Sequence, residues 1–548
     1  MTESRARKPG FAAPLGDLLE GVPVSGTSGT LAGVTVSSIV FDSRNVRPGA
    51  LFACLPGSLR DGHDFAADAV AAGAVALLCS RPVQVESPQI LVAAADLRAS
   101  MATLACNLYG RPSARLRIVG VTGTNGKTTV VAMISSILQA AGIGTEVIGT
   151  LDGARTTPEA PVLQERLAQA VAEGAGAAVM EVSSHGIAQE RVGGITFEVC
   201  VFTNLSPEHL DYHGDLESYF AAKAALFKSG HVRLAVVNDD DPWGRRLAAS
   251  MEGVPVRSFG LAAAEDVTTG IDGTSFTWRG LRITIPMAGE HNVANAMAAA
   301  EAALAMGIEE RRIAEGLAGM ARVPGRWLVQ GSGGWVVVDY AHTPAALEAS
   351  LGAARALFAA KEGRVLCVFG CGGNRDRGKR PLMGEIASRM AEVTVVTSDN
   401  PRDEDPGSII EEIIAGVPGS RVGTAPESRM GTAPGYRTRI VRATHGSRAG
   451  EEELVREMAG TARGAGIGGR GAETYGAENV PSERLVVVEP DRRRAIRLAV
   501  AAMRAIDVVL VAGKGHETTI EQGGAVSHFD DSEEVAAVLA RQPVGTQS

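Results

Sequence analysis

The amino-acid sequence predicts an α/β protein of three domains, built on mostly parallel sheets with helices on their faces. Length is the first reason, because 548 residues exceed what one hydrophobic core can organise. The second is that short apolar runs typical of buried parallel strands recur along the chain, at spacings that leave room for a helix. The third is that many of these runs end directly in polar or Gly-rich loops, where open α/β sheets bind ligands.

Composition excludes several classes of protein. Hydrophobic residues make up 45% of the chain and charged residues 21%, a balance typical of soluble globular proteins. The net charge of −9 and the low aromatic content argue against a nucleic-acid partner. Six cysteines without a C-x-x-C pair indicate a reduced, cytoplasmic setting. The N-terminus lacks a signal-peptide core, and no segment reaches the roughly 18 apolar residues of a membrane span, so no membrane partner is expected.

The first two domains are predicted over residues 13–112 and 113–325. In the first, apolar runs such as GALFACL and GAVALLC alternate with Ala-rich helical stretches, and YGRPSARL has the composition of a linker. The second begins with RLRIVGVTG, which has the pattern of a strand, followed by the helical pattern of TVVAMISSILQAAG. The Pro-Gly break in ARVPGRWLV closes this unit.

The third domain is predicted over residues 326–540. Its four apolar runs, in WVVVDYAHTP, RVLCVFGCGG, VTVVTSDNP and DVVLVAGKGHE, each end in a polar or Gly-rich loop, so we expect four loops at one edge of one sheet. Residues 419–483 are rich in Gly, Ala, Arg and Ser with little periodicity. We predict a largely disordered surface insertion there, although EEELVREMAGTA is compatible with a short helix.

The strongest local signal is VGVTGTNGKTTV, residues 119–130. A Gly-rich turn between a strand and a helix lets backbone N–H groups converge on phosphate oxygens, while Lys127 and Thr128 can serve the β/γ-phosphates and Mg²⁺. The segment departs from the common G-x-x-x-x-G-K-[ST] pattern, because Val121 stands five residues before Gly126. A plain glycine turn does not require a Lys-Thr pair, so nucleotide binding is favoured.

Other candidate side chains are ambiguous when taken alone. Glu181 ends a predicted strand, where a carboxylate suits Mg²⁺, but a single Glu is commonly surface charge. His209 and His213 lie four residues apart without a third ligand nearby, which is a weak zinc pattern. Lys223 falls in the apolar helical stretch SYFAAKAALF, where a lysine usually extends its ammonium to water. SDNPR, at the end of another strand, suits an ordinary turn or a contact with a small molecule.

As a set, these motifs resemble the Mur ligase family. GTNGKTT, EVSSHG, TNLSPEHLDYHG, the Lys of YFAAK, HNVAN, PGR, DYAHTP, GCGGNRDRGKRP, DNPR and AGKGHE occur in the order seen in that family. The resemblance covers about residues 35–530 apart from the insertion. It implies an N-terminal domain that binds UDP-MurNAc, a central ATPase and a C-terminal Rossmann-like domain that binds an amino acid.

The resemblance also implies an activity, that of an ATP-dependent amide ligase acting on a peptidoglycan precursor in the cytoplasm. Its small-molecule substrates would be ATP, UDP-N-acetylmuramoyl-L-alanyl-D-glutamate and meso-diaminopimelate, and the protein would be a monomer. The D-glutamyl carboxylate would attack the γ-phosphate of ATP, and the amine of the incoming amino acid would displace phosphate from the acyl phosphate. An Arg in the DNPR loop goes with meso-diaminopimelate rather than lysine in this family.

Where a motif of this chain matches one of the family, the resemblance implies the same role for each matching residue. Catalysis and Mg²⁺ binding are implied for Lys127, Thr128, Glu181, His209 and Lys223, with Lys223 as a carbamate. The implied ATP contacts are Thr124, Asn125, Gly126, Lys127, Thr128, Thr129, Val130, Asn295, Arg326, Asp339 and His342. The implied contacts to the UDP-substrate are Phe41, Ser43, Ser58, Leu59, Arg60, Asn125, Thr156, Thr157, Ser183, Gln189 and Arg191. Diaminopimelate would meet Arg375, Asp399, Asn400, Pro401, Arg402, Gly513 and Glu517.

Three features depart from the family pattern. Glu208 stands where an Asp usually precedes the histidine, and Trp327 and Leu328 follow PGR where a Glu is common. The insertion also lengthens the path from DNPR to AGKGHE.

Two rival functions share part of the pattern. A folate polyglutamyl ligase would carry the phosphate loop, but not the UDP-sugar residues around FDSR or the DNPR loop. A regulatory nucleotide-binding protein without ligase activity would have lost Lys223, His209 or the C-terminal loops, all of which are present.

Overall fold

The computed structural model describes residues 10–57, 60–153, 155–331, 334–359, 363–419, 429–433, 436–443, 448–461 and 482–541. Within these ranges, three mostly parallel sheets follow one another along the chain. The predicted α/β class is confirmed. Each sheet falls within one of the three predicted domain ranges, whose boundaries stay predictions. No helix in the described ranges is long and apolar enough to cross a membrane.

The first domain has a five-stranded sheet covered by one long helix, and a separate antiparallel pair of short strands, β1 and β3. Its strands are β1 (Ala13–Pro14), β2 (Val24–Ser28), β3 (Thr35–Val36), β4 (Ser38–Val40), β5 (Ala50–Ala53), β6 (Ala74–Cys79) and β7 (Gln89–Val92), and its helices are α1 (Leu15–Leu18), α2 (Ala66–Ala71) and α3 (Leu97–Leu108). The sheet order is β2-β7-β6-β5-β4, and only β2 runs antiparallel to its neighbour. Helix α3 buries Leu97, Met101, Leu104 and Leu108, which share one helical face.

The second domain is a six-stranded parallel sheet with an appended antiparallel sheet. Its strands are β8 (Arg117–Thr122), β9 (Thr145–Ile148), β10 (Ala177–Glu181), β11 (Phe197–Phe202), β12 (Val232–Asn238), β13 (Val256–Phe259), β14 (Glu265–Gly270), β15 (Gly273–Trp278) and β16 (Leu281–Ile285). Its helices are α4 (Lys127–Ala140), α5 (Ala160–Ala172), α6 (Ser184–Ala188), α7 (Leu210–His213), α8 (Leu216–Ala224), α9 (Pro242–Ala249), α10 (Glu290–Ala305) and α11 (Glu310–Ala318). In the order β13-β12-β11-β8-β10-β9, β8 lies between β10 and β11. The loop after β8 therefore opens into the crevice at a switch in strand order, the usual ligand site of such sheets.

The third domain is an eight-stranded mixed sheet. Its strands are β17 (Leu328–Gln330), β18 (Trp335–Asp339), β19 (Val365–Phe369), β20 (Val393–Val396), β21 (Arg429–Ala433), β22 (Tyr436–Arg442), β23 (Ser482–Val488), β24 (Val508–Ala512), β25 (Thr519–Gln522) and β26 (Ala525–His528), the last two forming a separate hairpin. Its helices are α12 (Pro344–Ala359), α13 (Lys379–Met390), α14 (Pro406–Ile414), α15 (Arg448–Gly460), α16 (Arg492–Ala502) and α17 (Asp531–Leu539). The four predicted strands are consecutive parallel neighbours, in the order β18-β24-β19-β20. Their polar loops meet at one edge of the sheet, as predicted.

The insertion is more regular than predicted. Strands β21 and β22 extend the sheet as a hairpin, and β22 pairs in parallel with β23. The predicted short helix is confirmed as α15, which buries Leu454 and Met458 in the core of this domain. The prediction of a largely disordered segment is wrong for these elements, because their apolar residues gain partners that no local pattern reveals. The rest of the insertion lies outside the described residues.

Candidate active site

The Gly-rich turn between β8 and α4 is held by its own lysine. Lys127 Nζ donates to the carbonyls of Gly123 (3.0 Å) and Thr124 (2.9 Å). Gly123 and Gly126 have φ values of 145° and 88°, and a Cβ at either would collide with a side chain of a neighbouring element. Burial lowers the pKa of Lys127, although Glu181 opposes the shift. The turn presents backbone N–H groups and a lysine at the start of a helix, which suits phosphate oxygens.

A carboxylate and a hydroxyl lie side by side next to this turn. Thr128 Oγ1 donates to Glu181 Oε1 at 3.1 Å, and the Thr150 N–H donates to the same oxygen at 2.8 Å. Arg326 Nη2, from the start of the third domain, donates to Thr128 Oγ1 at 3.2 Å. Glu181 is only 1% exposed, so the alternative of surface charge is wrong. Hydroxyl and carboxylate oxygens in this arrangement are the ligands that Mg²⁺ prefers.

Lys223 points into the protein and not to water. It is 1% exposed, and its Nζ donates to the same Gly123 carbonyl that Lys127 contacts, at 2.8 Å. Burial, followed by the charge of Lys127, holds the pKa of Lys223 well below its usual range. The amine is therefore neutral more readily than a surface lysine.

The histidines of the TNLSPEHLDYHG segment form a cluster of rings. His209 and His213 each contact His185, with ring centroids 4.9 and 5.5 Å apart. Burial, then His185 and Lys127, lowers the pKa of His209 to about 2, so its imidazole is neutral and can serve as a ligand. Among the residues that the structure describes, no group of three or more His, Cys, Asp or Glu is placed to hold a metal ion.

The Gly-rich turn after β8, called the phosphate loop below, and the loops after β18, β19, β20 and β24 line one cavity of about 280 Å³ between the second and third domains. Its lining includes Thr124, Asn125, Gly126, Lys127, Thr128, Thr156, Glu181, Ser183, His209, Arg326, His342, Arg375, Asp399, Asn400, Arg402, Gly513 and Glu517. Residues from eight separate sequence motifs are thus brought together.

The DNPR loop is more than a turn. The main chain of Arg402, which has a φ of 53°, is bonded on both sides to the β25–β26 hairpin. Its guanidinium Nη1 donates to the Gly373 carbonyl at 2.7 Å, and its Nε lies 3.7 Å from Glu521 Oε2. Asn400 Nδ2 donates to Glu517 Oε2 at 2.7 Å, which links this loop to the one after β24. Both loops face the cavity that the phosphate loop lines.

Comparison with known proteins identifies the family. The chain matches the Mur ligase middle domain over residues 121–303, the Mur ligase glutamate ligase domain over 325–432 and the Mur ligase family catalytic domain over 35–106. It is 40% identical to a UDP-N-acetylmuramoyl-L-alanyl-D-glutamate–2,6-diaminopimelate ligase from Geobacter metallireducens, over 96% of this chain and 98% of that protein. The chain belongs to the Mur ligase family. A protein of the same name from Gloeobacter violaceus is also 40% identical, over 93% of this chain and 95% of its own length.

Solved structures share the fold of this Mur ligase. A UDP-N-acetylmuramoyl-L-alanyl-D-glutamate–2,6-diaminopimelate ligase aligns with a TM-score of 0.59 and 28% identity, covering 96% of this chain and 99% of its own. Folylpolyglutamate synthase from Mycobacterium tuberculosis aligns with a TM-score of 0.53 at 17% identity, covering 76% of this chain and 92% of its own, and shows the fold alone.

A second cavity of this Mur ligase, about 1080 Å³, lies between the first and second domains. Residues implied to contact the UDP-substrate line it, namely Phe41, Ser43, Arg60, Gln189 and Arg191. Ser58 and Leu59 lie outside the described residues. The cavity is rich in arginine, with Arg44, Arg98 and Arg155 also in its lining, which suits a diphosphate.

Several residues that the resemblance implies in substrate binding do not line either cavity. Thr157 is fully buried, and its hydroxyl donates to the Glu181 carbonyl at 3.0 Å. Asn295 packs against Gly126, and Asp339 accepts from the Trp327 N–H at 2.8 Å. Thr129 and Val130 are buried and do not line this cavity, with Val130 in the hydrophobic core, so their implied ATP contacts stay predictions.

The sequence analysis missed two residues that link the second and third domains. Lys379 Nζ lies 3.0 Å from Glu208 Oε1 in a buried ion pair. Thr343 Oγ1 donates to Asn125 Oδ1 at 3.1 Å. The polar GKRP and AHTP segments carry these residues, but only the tertiary structure shows their partners.

Two of the residues that depart from the family pattern, Glu208 and Trp327, are buried. Burial raises the pKa of Glu208, an effect that Lys379 opposes. The Glu208 Oε2 atom is buried and has no hydrogen-bond partner among the described residues. Trp327 is 1% exposed, and its indole N–H donates to the Ile271 carbonyl at 3.3 Å. The unusual residue after PGR therefore fills the core.

Proposed function

We propose that this Mur ligase uses ATP to join meso-diaminopimelate to UDP-N-acetylmuramoyl-L-alanyl-D-glutamate, a cytoplasmic step of peptidoglycan synthesis, and that it acts as a monomer. One observation carries the proposal: a single cavity is lined by the phosphate loop on one side and by Arg402, Asn400 and Glu517 on the other. The 40% identity to a ligase of this activity, over nearly the whole chain, supports it.

The reaction needs positioning and charge stabilisation more than a protein nucleophile. A D-glutamyl carboxylate oxygen attacks the γ-phosphorus of ATP and ADP leaves, so the product is an acyl phosphate. The amine of the amino acid then attacks the acyl carbon, phosphate leaves and the amide forms with loss of a proton. Lys127 and Arg326, both in the cavity lining, would offset the negative charge on the transferring phosphoryl oxygens.

The residues present fit two Mg²⁺ ions and a carbamate. Thr128 and Glu181, whose oxygens already adjoin, would hold one ion, and neutral His209 with carbamylated Lys223 would hold the other. Carbamylation requires a neutral amine, which the lowered pKa of Lys223 favours. The carbamate is an anion, whereas an unmodified lysine is a cation when protonated. Carbamylation therefore replaces a group that repels a metal ion with one that attracts it. When bound, Mg²⁺ neutralises phosphate charge.

Arg402 would select the amino acid. meso-Diaminopimelate carries a carboxylate at its far end, and a guanidinium can bind a carboxylate through two parallel hydrogen bonds. Glu517 and Asn400 lie beside each other in the same cavity and would receive the distal ammonium. Lysine lacks the distal carboxylate and would leave Arg402 without this contact.

Phosphate release from ATP tests the proposal. The purified protein with ATP, Mg²⁺ and bicarbonate is assayed with the UDP-substrate and meso-diaminopimelate, separately and together. We expect sustained release only when both are present. Release with a folate and glutamate instead would identify a folate ligase, and absence of turnover with every pair would indicate a regulatory nucleotide-binding protein. Either result would overturn the proposal.

A further inference from the structure

Arg492 is a buried arginine that lies outside the cavity and contacts the two loops that face the cavity. Arg492 opens helix α16 and is 2% exposed. Its Nε and Nη2 donate to the two carboxylate oxygens of Asp531 at 2.8 and 2.7 Å. Because Asp531 opens helix α17, this bidentate pair fixes the plane of the guanidinium between two helices.

The other contacts of this guanidinium reach the ends of two strands. Nη2 donates to the carbonyl of Ala512, the last residue of β24, at 2.9 Å. Nη1 donates to the carbonyl of Ser398, beyond the end of β20, at 3.3 Å. Strand β19 lies between β24 and β20, so no ladder of the sheet joins these two ends directly. Arg492 joins them instead.

The contact continues into the cavity lining. Arg492 Nη1 lies 4.0 Å from Asp399 Oδ2, and a Cβ on Gly513 would lie 2.5 Å from that same oxygen. Gly513 has a φ of 117°, so this close approach depends on glycine. Burial raises the pKa of Asp399, whereas Arg492 favours its ionised form. One guanidinium thus sets the spacing of the SDNPR loop, the GKGHE loop and the carboxylate between them.

We propose that Arg492 is a positioning residue for the amino-acid substrate. This inference rests on the proposed function, since the two loops it joins are those assigned to meso-diaminopimelate. Arg492 does not line the cavity and acts through Ser398, Asp399 and Ala512. A misplacement of about 1 Å in a binding loop can cost on the order of 10²-fold in rate. Its loss affects amino-acid use, while ATP and the UDP-substrate bind to other loops.

The alternative is that Arg492 only stabilises the domain, and the chain offers a matched control. Arg364 and Asp507 form another fully buried ion pair in the same domain, in which Nε and Nη2 of Arg364 both donate to Oδ2 of Asp507, at 3.0 and 2.6 Å. They precede β19 and β24, so they lie at the opposite edge, away from the cavity. Replacement of either arginine removes a buried ion pair. Asp507 keeps Arg504 as a partner at 3.0 Å, and only Arg492 contacts the ends of the SDNPR and AGKGHE loops.

The experiment compares Arg492→Lys with Arg364→Lys. For both variants and the unmutated protein, kcat and the KM of ATP, of the UDP-substrate and of meso-diaminopimelate are measured, together with Tm. We expect both variants to lower Tm, and Arg492→Lys alone to raise the KM of meso-diaminopimelate by about 10-fold or more. The KM values of ATP and the UDP-substrate stay within about 2-fold. If Arg492→Lys does not fold, Asp531→Asn, which loosens the same fork, is expected to raise the same KM.

The outcomes separate this inference from the proposed function. If the unmutated protein does not use meso-diaminopimelate, the proposed function fails. If it does, and Arg492→Lys changes no KM, changes all three alike, or matches Arg364→Lys, then the positioning role is wrong and Arg492 is structural.

Discussion

The carboxylate of Glu208 and the ammonium of Lys379 lie 3.0 Å apart, both nearly buried, and join the second domain to the third. Glu208 follows β11 and Lys379 opens α13, so the pair spans the cavity that the two domains share. A buried ion pair adds little net stability, but the loss of one partner leaves an uncompensated charge. The pair therefore links the two domains across the cavity.

Lys379→Met is therefore expected to lower the free energy of unfolding by about 3 kcal/mol and kcat/KM by at least about 10-fold. Glu208→Gln should do the same, and the double variant should lose less than the sum of the two. Thermal unfolding and phosphate-release kinetics measure these effects. Replacement of the exposed pair Arg311 and Glu315 by alanine is the control and should change neither. Additive effects of the two single variants would contradict the coupling.

Lys127→Ala should reduce kcat/KM by at least about 10²-fold, on the scale of one preorganised charge in the transition state. The hydrophobic core does not include Lys127, so Tm should change little. Steady-state phosphate release and a thermal melt check both statements, with the exposed Lys228→Ala as control. Turnover close to that of the unmutated protein would exclude a role of Lys127 at the phosphates.

Much of this site could be predicted because its motifs follow strands directly. Apolar runs predict β8 and β24. The residues that follow these strands line the cavity as expected, from Thr124 to Thr128 and around Glu517. Residues deeper in a motif were less predictable: Val130 matches the family pattern yet packs in the core.

The features that sequence analysis missed depend on contacts between residues that are far apart in the chain. Lys379 and Thr343 have partners in another domain. Arg492 looks like any arginine at a helix start until the two strand ends it contacts are known. The hairpin of β21 and β22 follows the same logic, since its pairing with β23 decides its structure.

His516 makes stability depend on pH. Burial, followed by Arg326, lowers its pKa to about 4, and its buried Nδ1 has no hydrogen-bond partner within the described residues. Below about pH 6.5 the unfolded chain binds a proton that the native imidazole does not, so stability falls as the pH falls. From pH 7.5 to 5.5, His516→Gln should lose about 1 kcal/mol less than the unmutated protein in denaturant unfolding.

The control for this prediction has the opposite sign. His528 is exposed and its hydrogen bond with Glu533 raises its pKa, so its protonation favours the native state as the pH falls. His528→Gln should therefore steepen the loss of stability slightly. An unchanged pH dependence in His516→Gln would show that this imidazole titrates normally in the native protein.

Lys223 should make activity depend on carbon dioxide. Its pKa is lowered by burial, so the neutral amine can take up CO₂, and protein depleted of CO₂ should regain activity when bicarbonate is added. Lys223→Ala should lose nearly all activity and recover part of it with formate or acetate, whose carboxylate replaces the carbamate. Intact-mass measurement under native conditions provides an independent check. An unmodified lysine in fully active protein would refute the carbamate.

Arg402 should decide the choice of amino acid, and its environment sets the size of the effect. Its side chain is 22% exposed, with Gly373 and Glu521 as partners. When lysine binds, Arg402 would therefore lose a bidentate contact with a carboxylate, but its guanidinium would keep other partners. The free-energy penalty is thus smaller than that of an isolated buried charge.

We expect meso-diaminopimelate to exceed L-lysine in kcat/KM by about 10²- to 10³-fold. Arg402→Ala should remove most of this ratio and leave the KM of ATP unchanged, whereas the exposed Arg389→Ala should preserve it. Comparable kcat/KM for both amino acids in the unmutated protein would mean that Arg402 does not select the amino acid.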